Sequence, residues 1–132
     1  MGIGTGLGMA LVLPGREGPQ VFPSEGGHVD FAPLDEQQVR LREFARQRLG
    51  IDRVSRERLV AGPGLLLVHE FLGGDAVEPA VVAQRAASGD ALASAAMRLL
   101  AALCGAAAGA LALTCLPFGG LYLAGGVGQN NL

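Results

Sequence analysis

The sequence predicts an α/β layered domain, with strands first, helices in the middle and a strand last. Three observations carry that prediction. Short apolar runs bounded by glycine or proline stand near both ends, MALVL at Met9–Leu13 and LYLA at Leu121–Ala124. Between Asp35 and Thr114 the apolar spacing and the capping residues are helical. The 21 glycines gather at segment junctions, where turns and close backbone approaches belong. With 132 residues, half of them apolar, the chain is long enough for one domain with a real core.

The elements follow in order. Gly4-Thr5-Gly6-Leu7-Gly8 forms a hairpin-like turn feeding Met9–Leu13, a buried strand closed by Pro14. Val21–Phe22 and Val29–Phe31 read as strand segments, interrupted by a turn at Glu25–His28. Asp35 and Gln38 make a capping box for a helix in which Val39, Phe44, Ala45 and Leu49 recur at helical spacing, and Gly50 stops it. Ser55 caps a short helix to Ala61, and Pro63 suits the first turn of another ending near Gly73. A helix over Pro79–Ala87 precedes a long alanine-rich one, capped by Asp90 and reaching about Thr114, with Pro117 beyond it. Gly105 and Gly109 in that helix would allow close packing on the sheet.

Composition removes several classes of function. The net charge of −2 makes no electrostatic case for nucleic acid or an anionic membrane. All ten basic residues are Arg, which excludes a Walker A loop and Schiff-base lysine chemistry. Cys104 and Cys115 fall in one predicted helix. They are therefore roughly 16 Å apart, too far for a disulfide, and read as small buried hydrophobes in a reducing cytoplasm. The start, MGIGTGLG, lacks the basic flank and apolar run of a signal peptide. The 18 uncharged residues Leu99–Leu116, with a GxxxG at Gly105–Gly109, match the length of a membrane span with a dimerisation face. Seven of them are alanine, and no aromatic belt or positive cluster flanks the run, so a core helix of an α/β lobe is the expected role.

Two segments offer chemistry. Gly2, Gly4, Gly6 and Gly8 miss the G-x-G-x-x-G register, so the dinucleotide fingerprint is absent. A glycine turn with one hydroxyl, Thr5, remains; its backbone N–H groups could face phosphate oxygens, or it could be a plain β-turn. In FPSEGGHVDFAP, Gly26 and Gly27 let Glu25 and His28 point into one pocket. A carboxylate accepts hydroxyl hydrogen bonds and a neutral imidazole accepts one while donating another, the set that neighbouring sugar hydroxyls require. A solvated Glu beside a structural His is the plainer alternative. His69 and the two cysteines make no known metal-ligand spacing. Glu57, in the first turn after Ser55, reads from its position alone as a solvated acid favouring the helix dipole.

Taken in order, GTGLG, PSEGGHVDFAP, VSRERLVAGPGL and FGGLYLAGGV resemble the bacterial glucokinases of the hexokinase, actin and heat-shock ATPase superfamily. The resemblance covers nearly the whole chain. It implies a ribonuclease H-like (actin-like ATPase) lobe with a mixed sheet and packed helices, in a cytoplasmic enzyme that phosphorylates glucose from ATP and Mg2+. By resemblance Gly4, Thr5 and Gly6 form a phosphate-binding element, Glu25, His28 and Glu57 hold sugar hydroxyls, and Gly125 and Gly126 border the adenosine. A homodimer is compatible with it, and nucleic-acid or membrane partners are not expected.

The departures are specific. The family's general base is an Asp in an Asn-Asp pair upstream of the glycine turn, and its magnesium-holding Asp lies on an earlier phosphate loop; nothing here matches either. Asp30, beside the clamp, has no base role in the family pattern. The adenosine motif continues as GQNN where the family has Pro and a basic residue. The expectation is therefore a partial larger, carboxyl-terminal lobe over residues 1–132, without the small lobe and the last elements. Such a piece would carry the sugar site and part of the nucleotide site but be inactive alone. A non-catalytic sugar-binding relative and a small membrane-spanning interaction protein are the other readings.

Overall fold

The computed structural model describes residues 1–126; the GQNN departure lies outside the described residues. The amino-terminal glycine hairpin forms as expected. β1 (Gly2–Ile3) pairs antiparallel with β2 (Leu7–Leu13), Gly2 opposite Gly8 and Ile3 opposite Leu7. β2 then pairs antiparallel with β3 (Gln20–Ser24), from Met9 opposite Ser24 to Leu13 opposite Gln20. On the other edge Ala124 makes a single parallel bridge to Gly2. The Ile3 N–H donates to the Ala124 carbonyl at 2.7 Å, and the Ala124 N–H to the Met1 carbonyl at 2.9 Å.

Three strand expectations need correction. MALVL reads as buried, yet in β2 only Leu7 and Met9 are; Leu11, Val12 and Leu13 are 36–62% exposed. The helical layer covers one end of the hairpin only, so the apolar run outlasts its cover. LYLA contracts to the one bridge at Ala124, with Leu121 to Leu123 exposed. Val29–Phe31 is no strand either: one bridge joins Asp30 to Ser55, flanked by Phe31 N–H to the Val54 carbonyl and Arg56 N–H to the Val29 carbonyl, each 2.9 Å. That short clip ties the Glu25–His28 turn to the segment carrying Glu57.

The helices match their end signals. α1 (Glu36–Leu49) starts at Asp35, whose carboxylate accepts from the Gln38 N–H at 2.8 Å, while the Gln38 side chain accepts from the Leu34 N–H at 3.1 Å. Gly50 ends it in the left-handed region at φ 63°. The buried face of α1 is Gln38, Leu41 and Ala45, with Phe44 packed on Phe71; Val39 and Leu49 point outward, contrary to the spacing read from sequence. α2 (Arg56–Val60) begins after Ser55, which has the extended N-cap backbone but makes no side-chain cap. α3 (Gly62–Phe71) and α4 (Pro79–Ala87) each carry Pro in the first turn. α5 (Ala91–Cys115) starts on an Asp90 cap, its carboxylate accepting from the Ala93 N–H at 2.7 Å.

The core sits among α1 to α5 and the covered end of the hairpin. Ile3, Leu41, Leu59, Val60, Val68, Val82, Leu100 and Leu103 are almost wholly buried in it. α5 is long and apolar enough to cross a membrane, and one face of it packs on α2, α3 and α4 rather than on the sheet. That face is Ala93, Ala96, Leu100, Leu103, Cys104 and Ala107. Gly105 and Gly109 do not serve close packing: both are exposed, and a Cβ added at either would meet nothing within 4 Å. At 100° per residue they fall across the helix from Leu100 and Leu103.

Both cysteines are free, but only Cys104 is buried; Cys115, at the helix end, is partly exposed. Burial pushes the Cys104 thiol up to about 11, which leaves almost no thiolate to react near neutral pH. Cys115 is therefore expected to take a thiol reagent at pH 8, and Cys104 only once denaturant opens the core. Peptide mass mapping after timed labelling checks this; equal labelling of the two in the native protein would contradict the packing.

Candidate functional site

The Glu25–His28 turn is a single turn of 3-10 helix, with His28 N–H donating to the Glu25 carbonyl at 2.9 Å. Gly27 is there because nothing larger fits: a Cβ would lie 2.0 Å from the Leu7 carbonyl oxygen. The turn is thereby pressed against β2, and Glu25 and His28 stand out from it on the solvent side. Arg53 braces it from the other side, donating through one nitrogen to the His28 carbonyl and the Asp30 carboxylate, both at 2.8 Å. Asp30 is thus held in an ion pair facing Arg53.

Glu57 enters from α2. Its Oε1 lies 3.8 Å from His28 Nδ1, and Glu25 Oε2 lies 3.6 Å from His28 Nε2 on the far side of the ring. The three side chains form a row with the imidazole in the middle, although Glu57 is 29 positions beyond His28 in the chain. Both separations exceed hydrogen-bond length, so the groups face one space without being tied to one another. Glu57 is the most enclosed, its side chain 28% exposed against 90% for Glu25. Its other oxygen, Oε2, accepts from the Leu7 N–H at 2.9 Å, where the glycine turn returns into β2. Such a row, open on one side, can accept and donate to several adjacent hydroxyls.

The glycine turn is hung from two points. Glu57 takes the Leu7 N–H at one end, and the Gly62 N–H, at the start of α3, donates to the Gly4 carbonyl at 2.8 Å at the other. Gly4 and Thr5 also line a cleft of about 550 Å³, to which none of the three row residues contributes. Its other walls are Gly62, Pro63, Leu65 and Leu66 of α3, Glu78, Pro79, Ala80 and Ala83 around the start of α4, and Gly126. That size and a mostly apolar lining with few polar groups are those of a small-molecule site. Gly125 does not line it. It sits at φ 100° with its Cα against β1, where a Cβ would be 2.3 Å from the Ile3 carbonyl oxygen, so it is packing that demands glycine.

The glucokinase family model matches residues 1–132. The chain belongs to the glucokinase family. A curated glucokinase of Nostoc sp. is 38% identical over 96% of the chain, which covers 45% of that relative. Among solved structures, the glucokinase of an Antarctic psychrotroph superposes with a TM-score of 0.84 at 28% identity, over 96% of this chain and 41% of that one. The glucokinase of Balamuthia mandrillaris, solved with glucose, gives 0.77 at 26% identity, over 87% and 36%. The chain thus spans less than half the length of the glucokinases it matches.

Sequence reasoning found the row and the turn but missed the α3–α4 wall of the cleft. The signal available was two helices with Pro in the first turn within 20 residues, which says nothing of where they point. It also missed that Glu57 braces the turn. The first-turn position gives the dipole argument and no hint of a partner 50 residues away.

Two glycine substitutions separate packing from site geometry in this glucokinase-family chain. Gly27→Ala sets a methyl against backbone and is expected to lower the unfolding free energy by at least ~2 kcal/mol. Gly6→Ala meets only the end of a side chain, Glu57 Oε2 at 2.8 Å, and is expected to be relieved by a small shift of that side chain that keeps its bond to the Leu7 N–H, at a cost below ~1 kcal/mol. Denaturant titration of both variants tests the contrast, and similar losses would contradict it.

Proposed function

We propose that the chain carries the sugar clamp and part of the nucleotide cradle of an ATP-dependent glucose 6-phosphotransferase. One observation carries the reading. A single glycine turn has the Glu25–His28–Glu57 row at one end and the apolar cleft at the other, so an acceptor and a phosphoryl donor would meet across it. Glucose hydroxyls would take the two carboxylates as acceptors and the His28 ring as donor or acceptor. The adenosine would lie in the cleft near Gly126, and backbone of Gly4, Thr5 and Gly6 with the Thr5 hydroxyl would face the phosphates. Catalysis of such a transfer is mostly positioning and charge stabilisation, which fits a site made of braced turns. The family and the glucose complex of its Balamuthia member support the substrate; a cytoplasmic location follows from the same reading.

The reaction moves the γ-phosphoryl of ATP to the 6-hydroxyl, whose proton must pass to a base. We assign that base to no residue of this chain: Asp30 is engaged by Arg53, and by resemblance the base Asp belongs to a smaller lobe. Among the described residues no group of three His, Cys, Asp or Glu could hold a metal. The Mg2+ that the family implies would come with the triphosphate. Residues 1–132 are read as part of the larger lobe.

Glu25→Gln in the intact protein is expected to raise the KM for glucose about tenfold, the effect of weakening one ligand hydroxyl contact, with the KM for ATP unchanged. Steady-state kinetics in both substrates decides it, and equal changes in the two would sink the clamp assignment. Purified residues 1–132 by themselves are expected to release no glucose-dependent ADP in a coupled assay. Turnover by that polypeptide alone would place the base within it.

A further inference from the structure

We infer that Glu57 is a positioning residue that couples the sugar clamp to the phosphate-facing turn, so that each ligand tightens the other through one carboxylate. The inference rests on the proposed function, and deepens it by giving one of its sugar ligands a second task. Its basis is the division of labour between the two oxygens. Oε2 accepts from the Leu7 N–H at 2.9 Å, and a Cβ on Gly6 would lie 2.8 Å from the same atom. Oε1 faces the clamp, 3.8 Å from His28 Nδ1. The two oxygens of a carboxylate move as one planar group, so holding one restricts the other.

The surroundings make that lever effective. α2 is five residues long and is clamped at both ends: Arg56 N–H on the Val29 carbonyl before it, and Gly62 N–H on the Gly4 carbonyl after it. The first bond belongs to the clamp segment and the second to the glycine turn. Glu25 has no such link; it is 90% exposed and reaches only toward His28. Of the two carboxylates in the row, one is therefore a ligand alone and the other a ligand and a brace. A hydroxyl donating to Oε1 orders the carboxylate, hence the Leu7 N–H and the turn. A second ligand docking on that turn then has less left to order, which is positive cooperativity by linkage.

The test uses the intact protein, with ADP as nucleotide probe and glucose as sugar probe. Calorimetry gives the factor by which saturating glucose tightens ADP. The wild type is expected to show a factor of at least ~5, within the usual range of coupling between sites. Glu25→Gln is expected to weaken glucose yet keep the factor once glucose is saturating. Glu57→Asp, which keeps the charge but is one methylene too short to span both contacts, is expected to bring the factor to about one. Glu57→Gln keeps the span but offers the clamp a neutral amide, and is expected to lower the factor as well, so a poorly folded Asp variant does not decide the matter. Hydrogen exchange supplies a second readout: glucose alone should slow the Leu7 amide in wild type and not in Glu57→Asp. Wild type binding both ligands with a factor of one, or Glu57 variants that keep the full factor, would overturn the inference and leave the clamp standing. No glucose binding by wild type would overturn the proposed function itself.

Discussion

Leu7 is 4% exposed, and its N–H faces a place where the chain has just come out of a three-residue glycine turn. A buried N–H must have an acceptor, and the one supplied is Glu57 Oε2. A hydrogen bond to a charged group is worth about 1.5–3 kcal/mol, ample to hold a short turn that has no side chains of its own to pack. The position of Glu57, the depth of the glycine turn and the spacing of the carboxylate–imidazole row all follow from that contact. Gly6 must stay bare for the carboxylate to come so close, and Gly27 must stay bare so that the 3-10 turn can rest on the Leu7 carbonyl. Both faces of one peptide segment are used, and a Cβ at Gly27 would meet backbone where one at Gly6 would meet only the end of a side chain.

Around this point the helical layer acts as a frame. α2 and α3 are packed under α5, whose Leu100 and Leu103 are sealed in the core, so the donors and acceptors that hold the turn stand on rigid elements. A site on loops gains precision when its anchors belong to such elements. The exposed parts of the hairpin, Leu11 to Leu13 and Phe22, and the apolar residues after α5, Phe118 and Tyr122, take no part in those anchors.

The cleft and the clamp differ in kind. The cleft is walled by Pro63, Leu65, Leu66, Pro79 and Ala83, surface that favours a flat apolar group. The clamp is three polar side chains, largely open, with Arg53 behind it holding the His28 carbonyl. An apolar wall supplies affinity with little discrimination, whereas polar groups left unpaired by the wrong ligand supply discrimination. The two are joined by a turn short enough that one hydrogen bond reaches across it.

Much of this was legible in the residues. Helix ends were, because caps are local chemistry: Asp35 with Gln38, Asp90 and Gly50 act within four residues of themselves. The glycine hairpin and the Glu25–His28 turn were, because glycine pairs limit what the backbone between them can do. The order of four motifs was enough to suggest the family, and with it Glu57. Burial was not legible for MALVL, LYLA, Val39, Leu49 or the glycines of α5, since an apolar residue records a preference and only the neighbouring layer decides whether it is met. Nor could sequence distinguish Gly125, which packs on Ile3, from Gly126, which lines the cleft. The brace between Glu57 and Leu7, 50 positions apart, exists only because α2 is laid against the hairpin; no local rule encodes it, and tertiary structure alone brought a helix-terminal acid to the N–H that leaves the glycine turn.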